Sequence, residues 1–182
     1  MKLTGNKIQL RAIEPTDIDV LYSWENNTDY WNISNTVTPF SRQVLTQYIE
    51  SAHLDIYTTK QLRLMIDELD NSLSTIPKKY RPIGCIDLFD FEYNHQRAGI
   101  GILIAEKHDR RKGYASEALE VLIDYCFELL NLHQLYCNVS VDNESSILLF
   151  KKHGFEITGV KKSWIREGNV FKDELLLQLI RK

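Results

Sequence analysis

Apolar residues recur with strand-like or helix-like spacing along most of the chain. The apolar residues Ile8, Leu10 and Ala12 alternate with Gln9, Arg11 and Ile13, so residues 7–13 are predicted to form a first strand. Later runs of strand-like composition predict six more strands, at residues 61–69, 83–91, 98–105, 135–141, 155–162 and 171–180. The pattern therefore predicts about seven strands in all.

Helical spacing predicts four helices between these strands. The helical segments are residues 15–24, 41–51, 115–131 and 143–153. Pro15 opens the first, Ser41 is a candidate N-cap of the second, and Asp142 or Asn143 caps the fourth. No repeat, linker or low-complexity tract interrupts this order, so residues 1–182 are predicted to form a single domain.

A basic loop stands directly before the third predicted helix. It contains Arg110, Arg111 and Lys112, followed by Gly113. The first amides of a helix have no partner within it and, with the helix dipole, attract anions. Because Gly113 has no Cβ to keep a ligand from the backbone, the loop is predicted to hold a phosphate or diphosphate. A P-loop and a dinucleotide fingerprint do not fit, since the glycine spacing of neither is present.

The composition narrows the class of protein. The chain has 182 residues, 43% apolar and 26% charged, as is typical of one soluble globular domain. It has no apolar stretch near the roughly 20 residues of a membrane span and no signal-peptide core, so a cytoplasmic protein without a membrane partner is expected. A net charge of -3 gives no general attraction to nucleic acid. Cys85, Cys126 and Cys137 lack metal-ligand spacing and are predicted to be buried free thiols.

The basic loop resembles the pyrophosphate loop of the GNAT N-acetyltransferases. That family's pattern, Gln/Arg-x-x-Gly-x-Gly/Ala, is supplied here by Arg110, Gly113 and Ala115. Residues 122–155 are similar to the bacterial spermidine and diamine N-acetyltransferases. Residues 168–180 resemble the ribosomal-protein N-terminal acetyltransferase branch, and the resemblance covers nearly the whole chain from the first strand onward.

The resemblance implies an α/β (α+β) architecture, the GNAT fold. This is a mixed, mostly antiparallel central sheet of about seven strands, splayed between strands 4 and 5 and flanked by about four helices. It also implies acetyl-CoA as cosubstrate and no metal. The pantetheine arm would bond to the edge of strand 4, and the diphosphate to the basic loop. The residues that the resemblance implies at the cofactor are Ile102, Leu103, Ile104, Arg110, Arg111, Lys112, Gly113, Tyr114, Ala115, Ser116, Asn143 and Lys152.

The resemblance also implies where catalysis takes place. Relatives of the spermidine type carry a tyrosine general acid at the position of Phe150, and this side chain has no proton to give. The core cannot hold all of the apolar run at residues 147–150, so one of these residues is free to face the cofactor. The match to the relatives' tyrosine implies that this residue is Phe150. The alternative proton donors are Tyr136, Cys137 and His153. The candidate bases for the acceptor ammonium are Asp87, Asp90, Glu92 and His95.

The implied reaction is acetyl transfer to a primary amine by direct attack in a ternary complex. A polyamine or diamine and a protein or peptide N-terminus are the leading acceptors, although residues 30–45 contain no carboxylate to hold a polyamine. Tyr30, Trp31 and Phe40 form either one wall of a substrate cleft or a loop pinned to the core. The alternatives are an aminoglycoside or other small amine as acceptor, and a non-catalytic acyl-CoA-binding module. A homo-oligomer is compatible with the sequence.

Overall fold

Seven strands form one mixed sheet. The computed structural model describes residues 3–34, 36–69 and 80–182, with the backbone alone at residues 32 and 33. The strands are β1 (Ile8–Ala12), β2 (Leu62–Leu69), β3 (Tyr80–Glu92), β4 (Arg97–Ile104), β5 (Gln134–Ser140), β6 (Glu156–Glu167) and β7 (Val170–Ile180). They lie in the order β1-β2-β3-β4-β5-β7-β6, and every neighbouring pair is antiparallel except β4 and β5. The prediction of a mixed, mostly antiparallel sheet is confirmed.

Six α-helices connect the strands within the described residues. They are α1 (Ile18–Glu25), α2 (Thr28–Ser34), α3 (Arg42–Ser51), α4 (Ile56–Thr59), α5 (Tyr114–Asp124) and α6 (Glu144–Lys152). Four of them, α1, α3, α5 and α6, match the predicted helices, and Ser41 caps α3 by accepting a hydrogen bond from the Val44 amide. The other two, α2 and α4, were not predicted, because they are too short to show helical periodicity. None of the described helices is long and apolar enough to cross a bilayer.

The helices pack on both faces of the sheet. On one face, Met65 of β2 forms a buried cluster with Leu21 of α1 and Ile49 of α3. On the other face, a larger cluster joins the neighbouring residues Leu64 and Ile66 to the apolar sides of α5 and α6. Successive residues of a strand point to opposite faces, so β2 serves both layers of the core.

The parallel strands β4 and β5 separate after a short contact. They pair over only three residues of β4, from Arg97 to Gly99. Beyond that point β4 continues to Ile104 paired with β3, and β5 continues to Ser140 paired with β7. This divergence confirms the predicted splay between strands 4 and 5. Within the described part of the chain, the facing strand edges have no strand partner, so their backbone N–H and C=O groups can bond to a ligand.

The strands predicted at residues 61–69 and 83–91 leave residues 70–82 as a predicted connection, but β3 already begins at Tyr80. Tyr80, Arg81 and Pro82 already pair with β2 as part of β3. Pro82 has no N–H to donate, and the sheet accommodates it beside a register shift between Ile66 and Asp67. The rest of the predicted connection, residues 70–79, lies outside the described residues.

Candidate active site

A cavity of about 630 Å³ lies where β4 and β5 diverge. Its loop end follows the end of β4 and is lined by Asp109, Arg110, Arg111, Gly113, Tyr114, Ala115 and Ser116. Its carboxylate end is lined by Trp24, Glu25, Arg63, Cys85 and Asp87. Because Asp87 pairs with Gly101, two residues past the last β4–β5 contact, the carboxylate end lies near the point of divergence.

The loop end presents unpaired backbone amides. Gly113 is the N-cap of α5 and has φ +89°, a left-handed conformation that favours glycine. The first helical hydrogen bond runs from the Glu117 amide to the Gly113 carbonyl at 3.0 Å. Among the described residues, the amides of Tyr114, Ala115 and Ser116 have no acceptor. Three free amides at a helix N-terminus are a ready anion site, so the geometry fits the predicted phosphate loop.

A buried carboxylate holds the loop in place. Asp109 is 1% exposed and accepts two hydrogen bonds from Arg81, both 2.8 Å long, and one from Lys112 at 3.2 Å. The bonds from Arg81 are the main cause of the low pKa of Asp109, about 2. Arg81 also donates a hydrogen bond to Glu68, and Glu68 accepts a second hydrogen bond from the hydroxyl of Tyr114 at the start of α5. The network therefore ties both ends of the loop to β2 and β3.

Asp109→Asn is expected to lower the free energy of unfolding at neutral pH by about 1–3 kcal/mol, because the ionised acceptor of Arg81 is lost. An unfolded aspartate has a pKa of about 3.9. The stabilisation from the lower folded pKa is therefore complete above about pH 4 and is lost as the pH falls toward 2. Thermal melting from pH 7 to pH 2 measures the gap between wild type and variant, which should narrow in acid.

The control is Asp124→Asn, at an exposed carboxylate of α5 that accepts no side-chain hydrogen bond among the described residues. This variant should melt like the wild type at each pH. A gap for Asp109→Asn that stayed constant from pH 7 to pH 2 would contradict the role of its charge.

The predicted basic residues take two different positions. Arg110 and Arg111 line the cavity, and the Arg110 Nε donates to the Ile104 carbonyl at 3.1 Å. Lys112 and Lys152 are not among the lining residues, and cofactor contacts for these two stay predictions. The ammonium of Lys112 is bonded to Asp109, and that of Lys152 donates to the Ser116 hydroxyl at 2.9 Å.

The middle of the cavity lies between β4 and α6. Its lining residues there are Gly101, Ile102, Leu103, Ile104, Asn143, Ser145, Ser146 and Leu149. Asn143 caps α6 by accepting a hydrogen bond from the Ser146 amide at 3.2 Å. The structure therefore brings the predicted residues of strand 4 and Asn143 to one cavity. Ser145, Ser146 and Leu149 were not predicted, although they follow Asn143 on the same helix.

The carboxylate end is built around Arg63, on β2. Its Nε and Nη2 donate to the two oxygens of Asp87, each at 2.8 Å, and its Nη1 donates to Glu25 at the end of α1. Asp87 was predicted as a site residue, whereas Glu25 and Arg63 were missed. The signal for Arg63 was a charged side chain two residues before buried Met65, on the same face of a strand.

Cys85 is a buried free thiol beside this cluster, as predicted. Burial, reinforced by the charge of Asp87, raises the pKa of the Cys85 thiol to about 12. The group is therefore protonated at neutral pH and is a poor nucleophile. Among the described residues, no group of three His, Cys, Asp or Glu side chains could hold a metal ion.

Phe150 is buried in the core, contrary to the expectation that it faces the cofactor. It is 3% exposed, does not line the cavity and packs edge-to-face on Phe155, with ring centroids 5.1 Å apart. Part of the apolar run was indeed left out of the core, but it is Leu148, 68% exposed, that faces solvent. Leu149 faces the cavity.

Phe150→Tyr is expected to lower the free energy of unfolding by about 1–3 kcal/mol without raising turnover, because the buried hydroxyl has no partner. Phe171→Tyr is the control, since Phe171 is 58% exposed and its hydroxyl would reach water. Chemical denaturation and steady-state turnover on the same samples measure both effects. A faster Phe150→Tyr variant of unchanged stability would instead place the ring at the cofactor, as the resemblance implies.

Most of the other predicted acids and bases lie elsewhere. The Tyr136 hydroxyl donates to Asp90 at 3.0 Å, and both residues line a separate cleft together with Glu92. Cys137 is buried in the core, and His95 lies in the turn between β3 and β4. The remaining predicted donor is His153, whose Nε2 lies 2.8 Å from the Ser116 hydroxyl. Ser116 lines the cavity, but His153 does not. Of the predicted acids and bases, only Asp87 lines the main cavity.

Tyr30, Trp31 and Phe40 were predicted either to line a substrate cleft or to be pinned to the core, and the structure gives both outcomes. Tyr30 lines the cavity, and its hydroxyl donates to the Ala105 carbonyl after β4. Trp31 instead donates its indole N–H to the Glu25 carbonyl at 2.9 Å. Phe40 is pinned by its backbone, whose N–H and C=O both bond to the Asn26 side chain. Neither Trp31 nor Phe40 is among the residues that line the cavity, and Tyr30 and Trp31 lie on α2 and not in a loop.

The sequence matches a known protein family and a curated relative of that family. Residues 7–156 match a family described as the acetyltransferase (GNAT) domain. The spermidine N(1)-acetyltransferase of Vibrio cholerae serotype O1 is 27% identical over 154 residues, covering 83% of this chain and 80% of the relative.

Solved structures match over almost the full length. The Vibrio cholerae spermidine N-acetyltransferase in complex with CoA and spermine has a TM-score of 0.81 and 22% identity, covering 97% of this chain and 96% of that chain. A Vibrio cholerae structure provisionally assigned as a ribosomal-protein-serine acetyltransferase has a TM-score of 0.70 and 22% identity, covering 100% of this chain and 98% of that chain. At these identities the structural likeness supports the fold alone.

Proposed function

The chain belongs to the GNAT family and is an acetyl-CoA-dependent N-acetyltransferase, and on that premise we propose that it acetylates a primary amine by direct attack in a ternary complex. The sequence predicts a polyamine, a diamine or a peptide N-terminus as the leading acceptors, and the proposal itself requires only a primary amine. The cavity joins an anion site, an unpaired strand edge and a pair of carboxylates, and this continuity is the observation that carries the proposal.

The loop end holds the diphosphate of acetyl-CoA. The free amides of Tyr114, Ala115 and Ser116 donate to its oxygens, and the α5 dipole favours the negative charge. Arg110 and Arg111 add positive charge at the same end of the cavity.

The unpaired edge of β4 holds the pantetheine arm. Ile102, Leu103 and Ile104 line the cavity where β5 has turned away, so an extended amide-bearing arm can bond there like an added strand. Asn143, the N-cap of α6, also lines the cavity and supplies an amide side chain that can bond the arm. These contacts direct the acetyl group toward the point of divergence and the carboxylate end.

Asp87 accepts the proton that the acceptor ammonium must lose, and Glu25 helps to hold that ammonium. Acetyl-CoA supplies the thioester carbonyl and a thiol leaving group whose pKa is close to that of free cysteine, about 8.5. A thiol of this acidity can leave as thiolate or take a proton from water. The absence of a tyrosine at position 150 is therefore compatible with turnover.

The rival function is a non-catalytic acyl-CoA-binding module, favoured by Phe150 at the position of the relatives' general acid. Thiol release from acetyl-CoA, with and without an amine panel, separates the two. The panel contains spermidine, peptides with free N-termini, an aminoglycoside and simple amines. Amine-dependent thiol release with acetylated product supports the proposal, whereas tight acetyl-CoA binding with no transfer to any amine supports the binding module. The cytoplasmic location and a homo-oligomeric state stay predictions.

A further inference from the structure

Arg63 occupies the space between the two carboxylates at the carboxylate end. It binds Asp87 through two parallel hydrogen bonds of 2.8 Å and reaches Glu25 with a third nitrogen. Two parallel bonds fix the guanidinium plane relative to the carboxylate. The side chain of Arg63 is only 21% exposed, so water screens this ion cluster less than a surface ion pair.

The cluster leaves little negative charge for an acceptor. Among the described residues that line the carboxylate end, Glu25, Arg63 and Asp87 are the only charged ones, so one net negative charge remains. The neighbouring lining residues, Trp24 and Cys85, are uncharged at neutral pH. This end of the cavity can therefore compensate one ammonium, and a second ammonium would lose water without gaining a free carboxylate.

We infer that the acceptor is an amine with a single positive charge, attached to an uncharged chain, and that Arg63 excludes diamines and polyamines. The inference rests on the proposed function, because it names the substrate class of that same site. A small monoamine and the N-terminus of an uncharged peptide share this chemistry. Specificity here comes from a repulsive group as well as from attraction, since Arg63 both cancels one of the two negative charges and repels a second cation.

The chain contains a matched arginine for the control. Arg11 also bridges two carboxylates, at 2.6 Å from Asp17 and 2.7 Å from Asp67, and is similarly part-buried. It does not line the cavity. Removing Arg11 should therefore disturb stability in the same way as removing Arg63, with no effect on the choice of acceptor.

The wild-type enzyme is tested first with chain-matched acceptors. Acetyl-CoA-dependent thiol release is measured with hexylamine, 1,6-diaminohexane, spermidine and an amide-capped tripeptide of serine and alanine. We expect kcat/KM for the better of hexylamine and the peptide to exceed that for either polycation by about tenfold or more. The ratio of hexylamine to peptide distinguishes a small monoamine from a peptide N-terminus.

The variant Arg63→Met then tests whether Arg63 causes the selectivity for single-charge amines. Its ratio of diaminohexane to hexylamine kcat/KM should rise by about tenfold or more over wild type, while Arg11→Met keeps the wild-type ratio. A wild-type enzyme that uses diaminohexane or spermidine as well as the single-charge amines would overturn the inference and leave the proposed function standing. An unchanged ratio in folded Arg63→Met would overturn the role of Arg63. If Arg63→Met does not fold, the wild-type selectivity decides, and transfer to no amine at all contradicts the proposed function instead.

Discussion

Asp87→Asn is expected to reduce kcat by about 100-fold or more, since positioned acid–base groups typically contribute at least that much. An amide of the same shape cannot take the proton of the acceptor ammonium. Acetyl-CoA affinity should stay at the wild-type value, because Asp87 lies at the carboxylate end and the predicted diphosphate site at the loop end. Steady-state thiol release gives kcat, and titration calorimetry gives the affinity.

Asp90→Asn is the matched control for Asp87. Asp90 lies three residues further along β3, but its carboxylate accepts the Tyr136 hydroxyl in the separate cleft. This variant should keep the wild-type kcat. If Asp87→Asn lost less than about tenfold, far below the usual contribution of a general base, the proton would have to leave by another route.

Gly113→Val is expected to weaken acetyl-CoA binding by about tenfold or more, equivalent to about 1.4 kcal/mol of binding free energy. Gly113 has φ +89°, and the side chain of a β-branched residue would cover the amides of the first turn of α5. Valine in this left-handed conformation is also strained by about 1–3 kcal/mol, so the stability of the ligand-free protein should fall as well. Calorimetry at a temperature where the variant is folded isolates the loss of affinity.

Gly168→Val separates strain from ligand contact. Gly168 has φ +60° in the turn between β6 and β7, with no atom within 4 Å of an added Cβ. It should lose similar stability and keep the wild-type affinity for acetyl-CoA. Equal affinity losses in the two variants would show that backbone strain, and not a blocked phosphate site, explains the effect at Gly113.

The sequence predicted the parts of the site that are local in the chain. Gly113 and the arginines before it are consecutive, and the helix that follows has enough turns for its apolar side to be recognised. The sheet was predictable for the same reason, since alternation within one strand carries the signal. The helices α2 and α4 were missed because seven and four residues are too few to show helical periodicity.

The carboxylate end could not be predicted in the same way. Glu25, Arg63 and Asp87 come from one helix and two strands, and only the packing of α1 on the sheet brings them together. Phe150 shows a different limit: one residue of the apolar run was predicted to leave the core, and that place was assigned to Phe150, which the structure buries. Leu148 is the exposed one, and this depends on the rotation of α6 about its axis.

Following the acetyl group is the most direct test of transfer by direct attack. Acetyl-CoA labelled in the acetyl carbon is incubated with the protein, with and without an accepted amine, and both protein and amine are analysed by mass spectrometry. Direct attack predicts label on the amine nitrogen when the amine is present and none on the protein in either case. Label that first accumulates on the protein, or that never reaches the amine, would contradict it.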